Sequence, residues 1–78
     1  MNPRVKEVYS NNDYTLIIIF DNDEMGIFDV TPYLDKGIFT QLRDRSIFNS
    51  AKVFLGTVQW ANGLDFCPDT IYLESKKQ

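Results

Sequence analysis

The seven-residue run Tyr14-Thr15-Leu16-Ile17-Ile18-Ile19-Phe20 constrains this chain more than any other feature. Side chains alternate across a strand, so Tyr14, Leu16, Ile18 and Phe20 share one face, and Thr15, Ile17 and Ile19 share the other. Both faces are apolar. Such a strand must be central and covered on both sides, or covered on one side by its own chain and on the other by a second chain. With 78 residues there is material for one domain, residues 1–78, and a thin core. The expected shortfall in cover predicts a symmetric homodimer, since closed two-fold dimers are the commonest assembly.

The segments around this strand supply the rest of the fold. Arg4 to Tyr9 is extended, and Ser10-Asn11-Asn12-Asp13 is a cluster of turn formers. Asp21-Asn22-Asp23-Glu24 turns the chain again, because Asn and Asp tolerate the positive φ of a tight hairpin. Met25 to Val30 returns as the partner strand, with Gly26 marking a bulge. Thr31 is placed to cap a helical turn that Pro32 opens and Gly37 stops. Ile38, Phe39 and Leu42, then Ile47, Phe48 and Ala51 after the capping residue Asp44, have helical spacing, so residues 32–50 form short helical pieces over the sheet. Strand character resumes at Lys52 to Leu55, is interrupted at Gly56 and continues from Thr57 to Trp60. Asn62-Gly63 predicts a type I′ hairpin, with Leu64 to Phe66 as the returning strand. Cys67-Pro68-Asp69-Thr70 starts a last helical turn docked by Ile71 and Tyr72, and Glu74 to Gln78 is a polar tail that frays. The class is therefore α+β: an antiparallel sheet of about five strands, with short helical segments between strands 3 and 4 and at the C-terminus.

Two stretches carry a family pattern. Phe28-Asp29-Val30-Thr31-Pro32-Tyr33-Leu34-Asp35-Lys36-Gly37-Ile38-Phe39 resembles an F-D-V-x-P-Y-L-x-x-G-x-F block. Gly56 to Asp65, followed by Pro68-Asp69-Thr70-Ile71-Tyr72, resembles a second block, W-x-N-G-x-D-x-x-P-D-T. Both belong to the small bacterial domain-of-unknown-function family 2442. The resemblance implies a small α+β domain, often encoded in bacterial gene pairs that look like toxin–antitoxin modules.

Residue content argues against several chemistries. There is no histidine and one cysteine, so a Ser–His or Cys–His nucleophile and a zinc site both lack partners. Cys67 alone forms no internal disulfide, which suits a cytoplasmic setting. No apolar run approaches the ~18–20 residues of a membrane span. Asp21 to Gly26 has acids and a glycine at calcium-loop positions, but Met25 and Pro32 stand where oxygen ligands are needed. No cofactor, metal site or catalytic group is expected.

Five residues remain as candidates for a ligand or partner surface: Tyr33, Trp60, Asn62, Asp65 and Asp69. Asp65 and Asp69, brought close by the turn and the helix start, would be able to split their pKa values into an acid and a base, or else satisfy local backbone N–H groups. Trp60 suits an interface anchor or a core plug, and Tyr33 beside Pro32 suits an exposed platform or a lid. Residues 1–35 hold seven acidic and two basic side chains, whereas residues 36–78 hold four acidic and six basic. The acidic half favours a basic protein partner. Lys36, Arg43, Arg45 and Lys52 would be the basic edge of a nucleic-acid binder, but the net charge of -3 predicts weak or no such binding. The expected function is a non-catalytic interaction module, the partner-binding component of a toxin–antitoxin-like pair. The alternative is a small-ligand-binding or enzymatic domain using Asp65, Asp69, Tyr33 and Trp60.

Overall fold

A computed structural model describes residues 2–78. Strands β1 (Val5–Ser10), β2 (Thr15–Phe20) and β3 (Met25–Asp29) form an antiparallel meander. Two 3-10 segments, Thr31–Tyr33 and Gly37–Arg43, lead to helix α1 (Arg45–Phe48). A hairpin of β4 (Lys52–Phe54) and β5 (Thr57–Gln59) follows, then helix α2 (Pro68–Glu74) and a short β6 (Lys76–Lys77). The architecture is α+β. Its strands divide into a four-stranded sheet, ordered β1-β2-β3-β6, and the separate β4-β5 pair.

The core is built on one face of β2. Leu16, Ile18 and Phe20 are fully buried, as is Phe28 opposite Leu16 on β3. Val30, Leu42, Phe48, Val58, Trp60, Phe66 and Ile71 pack onto them from the other elements. Thr15, Ile17 and Ile19, on the reverse face, are only half-buried. The alternation expected of this strand holds from Thr15 to Phe20. Tyr14 falls outside it: its φ of 63° is left-handed, and its ring packs edge-on against Phe48 at 5.0 Å.

Three hairpin loops share one construction. A left-handed residue (Tyr14, Asp23 or Gly63) follows an Asx residue (Asp13, Asn22 or Asn62). The Asx oxygen accepts a hydrogen bond from the N–H two residues on: Thr15 at 3.2 Å, Glu24 at 3.1 Å and Leu64 at 3.2 Å. This corrects the expected type I′ turn. Asn62 does not have positive φ, and Gly63 N–H donates to the Trp60 carbonyl while Trp60 N–H donates to the Leu64 carbonyl. That is a type I turn closed by a left-handed residue, a three-residue loop in which Gly63 at φ +87° escapes the Cβ clash of that region.

Other local expectations shift as well. Thr31 lies within its 3-10 segment and does not cap it; Asp29 accepts from the Thr31 amide at 3.0 Å and from its hydroxyl at 2.7 Å. Asp44 does cap α1, accepting from the Ser46 amide at 2.9 Å. Gly26 sits in regular register opposite Ile18, with no bulge; the irregularity is in β1, between Val5 and Glu7. Leu64 to Phe66 forms only an isolated bridge, Gln59 to Asp65. The tail does not fray. Lys76 and Lys77 pair with Ile27 and Gly26. The Lys77 ammonium lies 3.9 Å from the Tyr72 ring centroid and donates to the Ser75 carbonyl at 3.0 Å. A cation over an aromatic face gains from the ring's quadrupole, and that contact helps hold the last strand.

Candidate functional site

The five candidate residues do not form one site. Trp60 is buried, with its indole N–H donating to the Phe48 carbonyl at 3.0 Å, so it plugs the core and is not a surface residue. Its ring meets Phe66 edge-on at 5.7 Å. Tyr33 is half-buried in the same aromatic cluster, 4.9 Å from Phe66 and 5.9 Å from Phe39, and its hydroxyl donates to Glu74 at 2.5 Å. It acts as a lid. Asn62 is exposed and committed to its turn, with its amide nitrogen donating to Gln41 at 2.9 Å. Asp65 and Asp69 are both exposed; Asp69 accepts from Asn2 at 3.2 Å, and no hydrogen bond joins the two acids. No pocket forms among the described residues.

The basic set is also largely occupied within the fold. Arg43 donates to the Leu34 carbonyl at 2.7 Å, the Arg45 guanidinium lies 4.1 Å from the Tyr14 ring centroid, and the Lys36 ammonium lies 5.6 Å from that of Tyr33. Cys67 is exposed ahead of α2 and makes no side-chain capping bond. Among the described residues no helix is long and apolar enough to cross a membrane.

A different surface emerges where three loops meet. The amide of Asp21 donates to the Arg4 carbonyl at 2.8 Å, and the amide of Val5 donates to the Gly56 carbonyl at 2.9 Å. The Arg4 carbonyl and the Val5 N–H belong to one trans peptide and point in opposite directions, so the acidic Asp21–Glu24 turn and the tip of the β4-β5 hairpin flank this segment on its two sides. That tip is apolar and open. Val53 is 38%, Phe54 41% and Leu55 78% exposed. Leu55 and Gly56 are the two central residues of the turn, at φ +50° and +79°. Both angles are positive, as a two-residue type I′ turn requires, and the left-handed region costs an L-residue roughly 1–2 kcal/mol. A leucine there is strained and solvated at once. Sequence reading missed this site by taking Gly56 as a break within one strand. The available signal was three consecutive apolar residues immediately before a glycine, with no polar alternation.

Electrostatics at the acidic turn are local. The Lys6 ammonium, 2.8 Å from Asp23, holds that carboxyl below its usual range, and Asp23 raises Lys6 in return. The Tyr72 hydroxyl donating to Glu24 lowers the Glu24 carboxyl, and the same contact raises the phenol. Asp13 and Asp44 are lowered by the hydroxyls of Thr15 and Ser46, while Glu7 and Glu74 raise Tyr9 and Tyr33. A lowered carboxylate contributes stability above its unfolded pKa and loses it as pH falls. A raised phenol or ammonium contributes below its unfolded pKa and loses it as pH rises. With no histidine in the chain, thermal midpoints should be flat between roughly pH 5 and 8, falling below about 4 and above about 10. Calorimetry across that range checks it; a step near pH 6.5 contradicts it.

A family model described as "Protein of unknown function (DUF2442)" matches residues 5–77, nearly the whole chain. Comparison with curated proteins and with solved structures returned no match.

Proposed function

This chain belongs to the DUF2442 family, and we propose that it acts as a non-catalytic protein-interaction module, the partner-binding half of a bacterial toxin–antitoxin-like gene pair. One observation carries the reading: the exposed Val53-Phe54-Leu55 tip, held in a strained turn, and the acidic Asp21–Glu24 turn flank the Arg4-Val5 segment on its two sides. The hairpin needs positive φ at this position, but a glycine or asparagine would meet that need with less strain, so an exposed leucine here points to use at a surface, where strained residues cluster. The juxtaposition suits a partner presenting an apolar pocket with a basic rim. Apolar burial would supply affinity, and charge complementarity would supply encounter rate and orientation. The gene-pair part of the proposal rests on the family resemblance.

Leu55→Gly separates function from folding. Glycine removes the left-handed strain, so stability should stay level or rise by up to about 1 kcal/mol. Partner retention should fall. The test is co-expression with the product of the adjacent gene, followed by affinity purification, for the native chain, Leu55→Gly and Asp21→Lys. Recovery with the native chain and loss with both variants supports the proposal. Failure to recover the neighbour's product defeats the gene-pair reading, and recovery indifferent to both substitutions defeats the surface.

A further inference from the structure

The reverse face of the four-stranded sheet has no use in the reading above. Opposite residues in an antiparallel ladder point to the same side. Tyr9, Ile17, Ile27 and Lys76 therefore form one row across that face, and Glu7, Ile19 and Met25 form the next. Tyr9 is 54% and Met25 42% exposed, while Ile17, Ile19 and Ile27 are half-buried only by their neighbours. The centre is aliphatic; Glu7 on β1 and Lys76 on β6 sit at opposite lateral edges, and Asp29 lies beside Thr15 at one end of the face.

We propose that this face binds a second copy of the chain, across a two-fold axis running along the strands. Such an axis lays β1 of one copy over β6 of the other, so each Glu7 lies one row, about 7 Å along the strands, from the partner's Lys76, a gap the two long side chains span. A two-fold across the strands would instead set like charge over like, so the edge charges select the first arrangement. Face-to-face packing of aligned sheets about 10 Å apart buries the isoleucines of both copies. Edge-to-edge pairing is disfavoured, because β6 is two residues long and both are lysines. Strands about 4.8 Å apart, six residues long in β1 and β2, five in β3 and two in β6, give a face at most roughly 15–20 Å on a side, the size of a weak, transient interface. The dimer is therefore reversible in the micromolar range.

Sedimentation equilibrium of the full chain at tens of micromolar tests this. The expected mass is near twice 9.1 kDa, falling to 9.1 kDa for Ile17→Lys. Because Ile17→Lys can also disturb folding, the exposed charges supply a second arm. Glu7→Lys and Lys76→Glu should each weaken association about tenfold. The doubly swapped Glu7→Lys/Lys76→Glu chain should recover it. Leu55→Gly, which touches the other surface, should leave sedimentation unchanged. A monomer throughout, or a dimer that folded Ile17→Lys leaves intact, overturns the proposal. A dimer that the double swap does not restore overturns the two-fold arrangement.

Discussion

Trp60→Ala should cost about 3–5 kcal/mol, a large share of the domain's whole stability. The side chain is 1% exposed, and it joins the hairpin end to α1 through the bond from its indole N–H to the Phe48 carbonyl. Truncating a buried aromatic to alanine typically costs about 3–5 kcal/mol, from lost transfer free energy plus the cavity left behind. A 78-residue domain holds only roughly 4–12 kcal/mol in total. Trp60→Phe refills most of the volume and loses only the indole donor; Ala51 N–H still reaches the Phe48 carbonyl at 3.3 Å. Its cost should be about 1 kcal/mol. Urea denaturation followed by far-ultraviolet circular dichroism separates the two. A cooperative transition of native stability in Trp60→Ala would show that Trp60 does not anchor the core.

Gly26→Val should cost about 2–3 kcal/mol, the range for forced overpacking. A Cβ at Gly26 would stand 2.9 Å from the Ser75 Cβ and 3.2 Å from Phe20 Cε2. Ser75 is buried between α2 and β6, and its Cβ is fixed by backbone, so the strand must move away. The loss should be local as well as global: amide protection of Gln78, whose N–H donates to the Met25 carbonyl at 2.9 Å, should fall first. Gly26→Ala should behave as a weaker version. Adding Ser75→Gly to Gly26→Ala should recover part of the stability by reopening the space. Additive losses in that double variant would place the strain elsewhere. The need for glycine here is close approach of another element, which differs from the bulge that its place in a strand suggested.

Period-two alternation placed the faces of β2 correctly because it depends only on neighbours along the strand. Asp44 as a cap and Pro68 as a helix opener followed from equally local rules, and the two motif blocks pointed to the family over almost the full chain. Of the five candidate residues, Trp60 and Tyr33 took the core-plug and lid alternatives for a non-local reason. Trp60 and Tyr33 are drawn into the aromatic cluster around Phe66, which depends on how the 3-10 segments fold back over the sheet. The surface proposed for a partner was not legible because its two parts, near positions 21 and 55, are brought together only by the Arg4-Val5 segment between them.

By itself the sequence determined the α+β class, the central strand with its two apolar faces, the two turns that flank that strand and the family. Each of these rests on interactions between residues a few positions apart, or on composition. Only the tertiary structure decided that the strands part into a sheet of four and a hairpin, that Lys76 and Lys77 return to close the sheet, and that Gly26 is required by Ser75. It also decided that Leu55 is left strained and exposed at the tip of its hairpin. The physical reason is that local rules fix how a segment bends and which way its side chains alternate. Which distant segment comes to cover a given face depends on the packing of the whole chain.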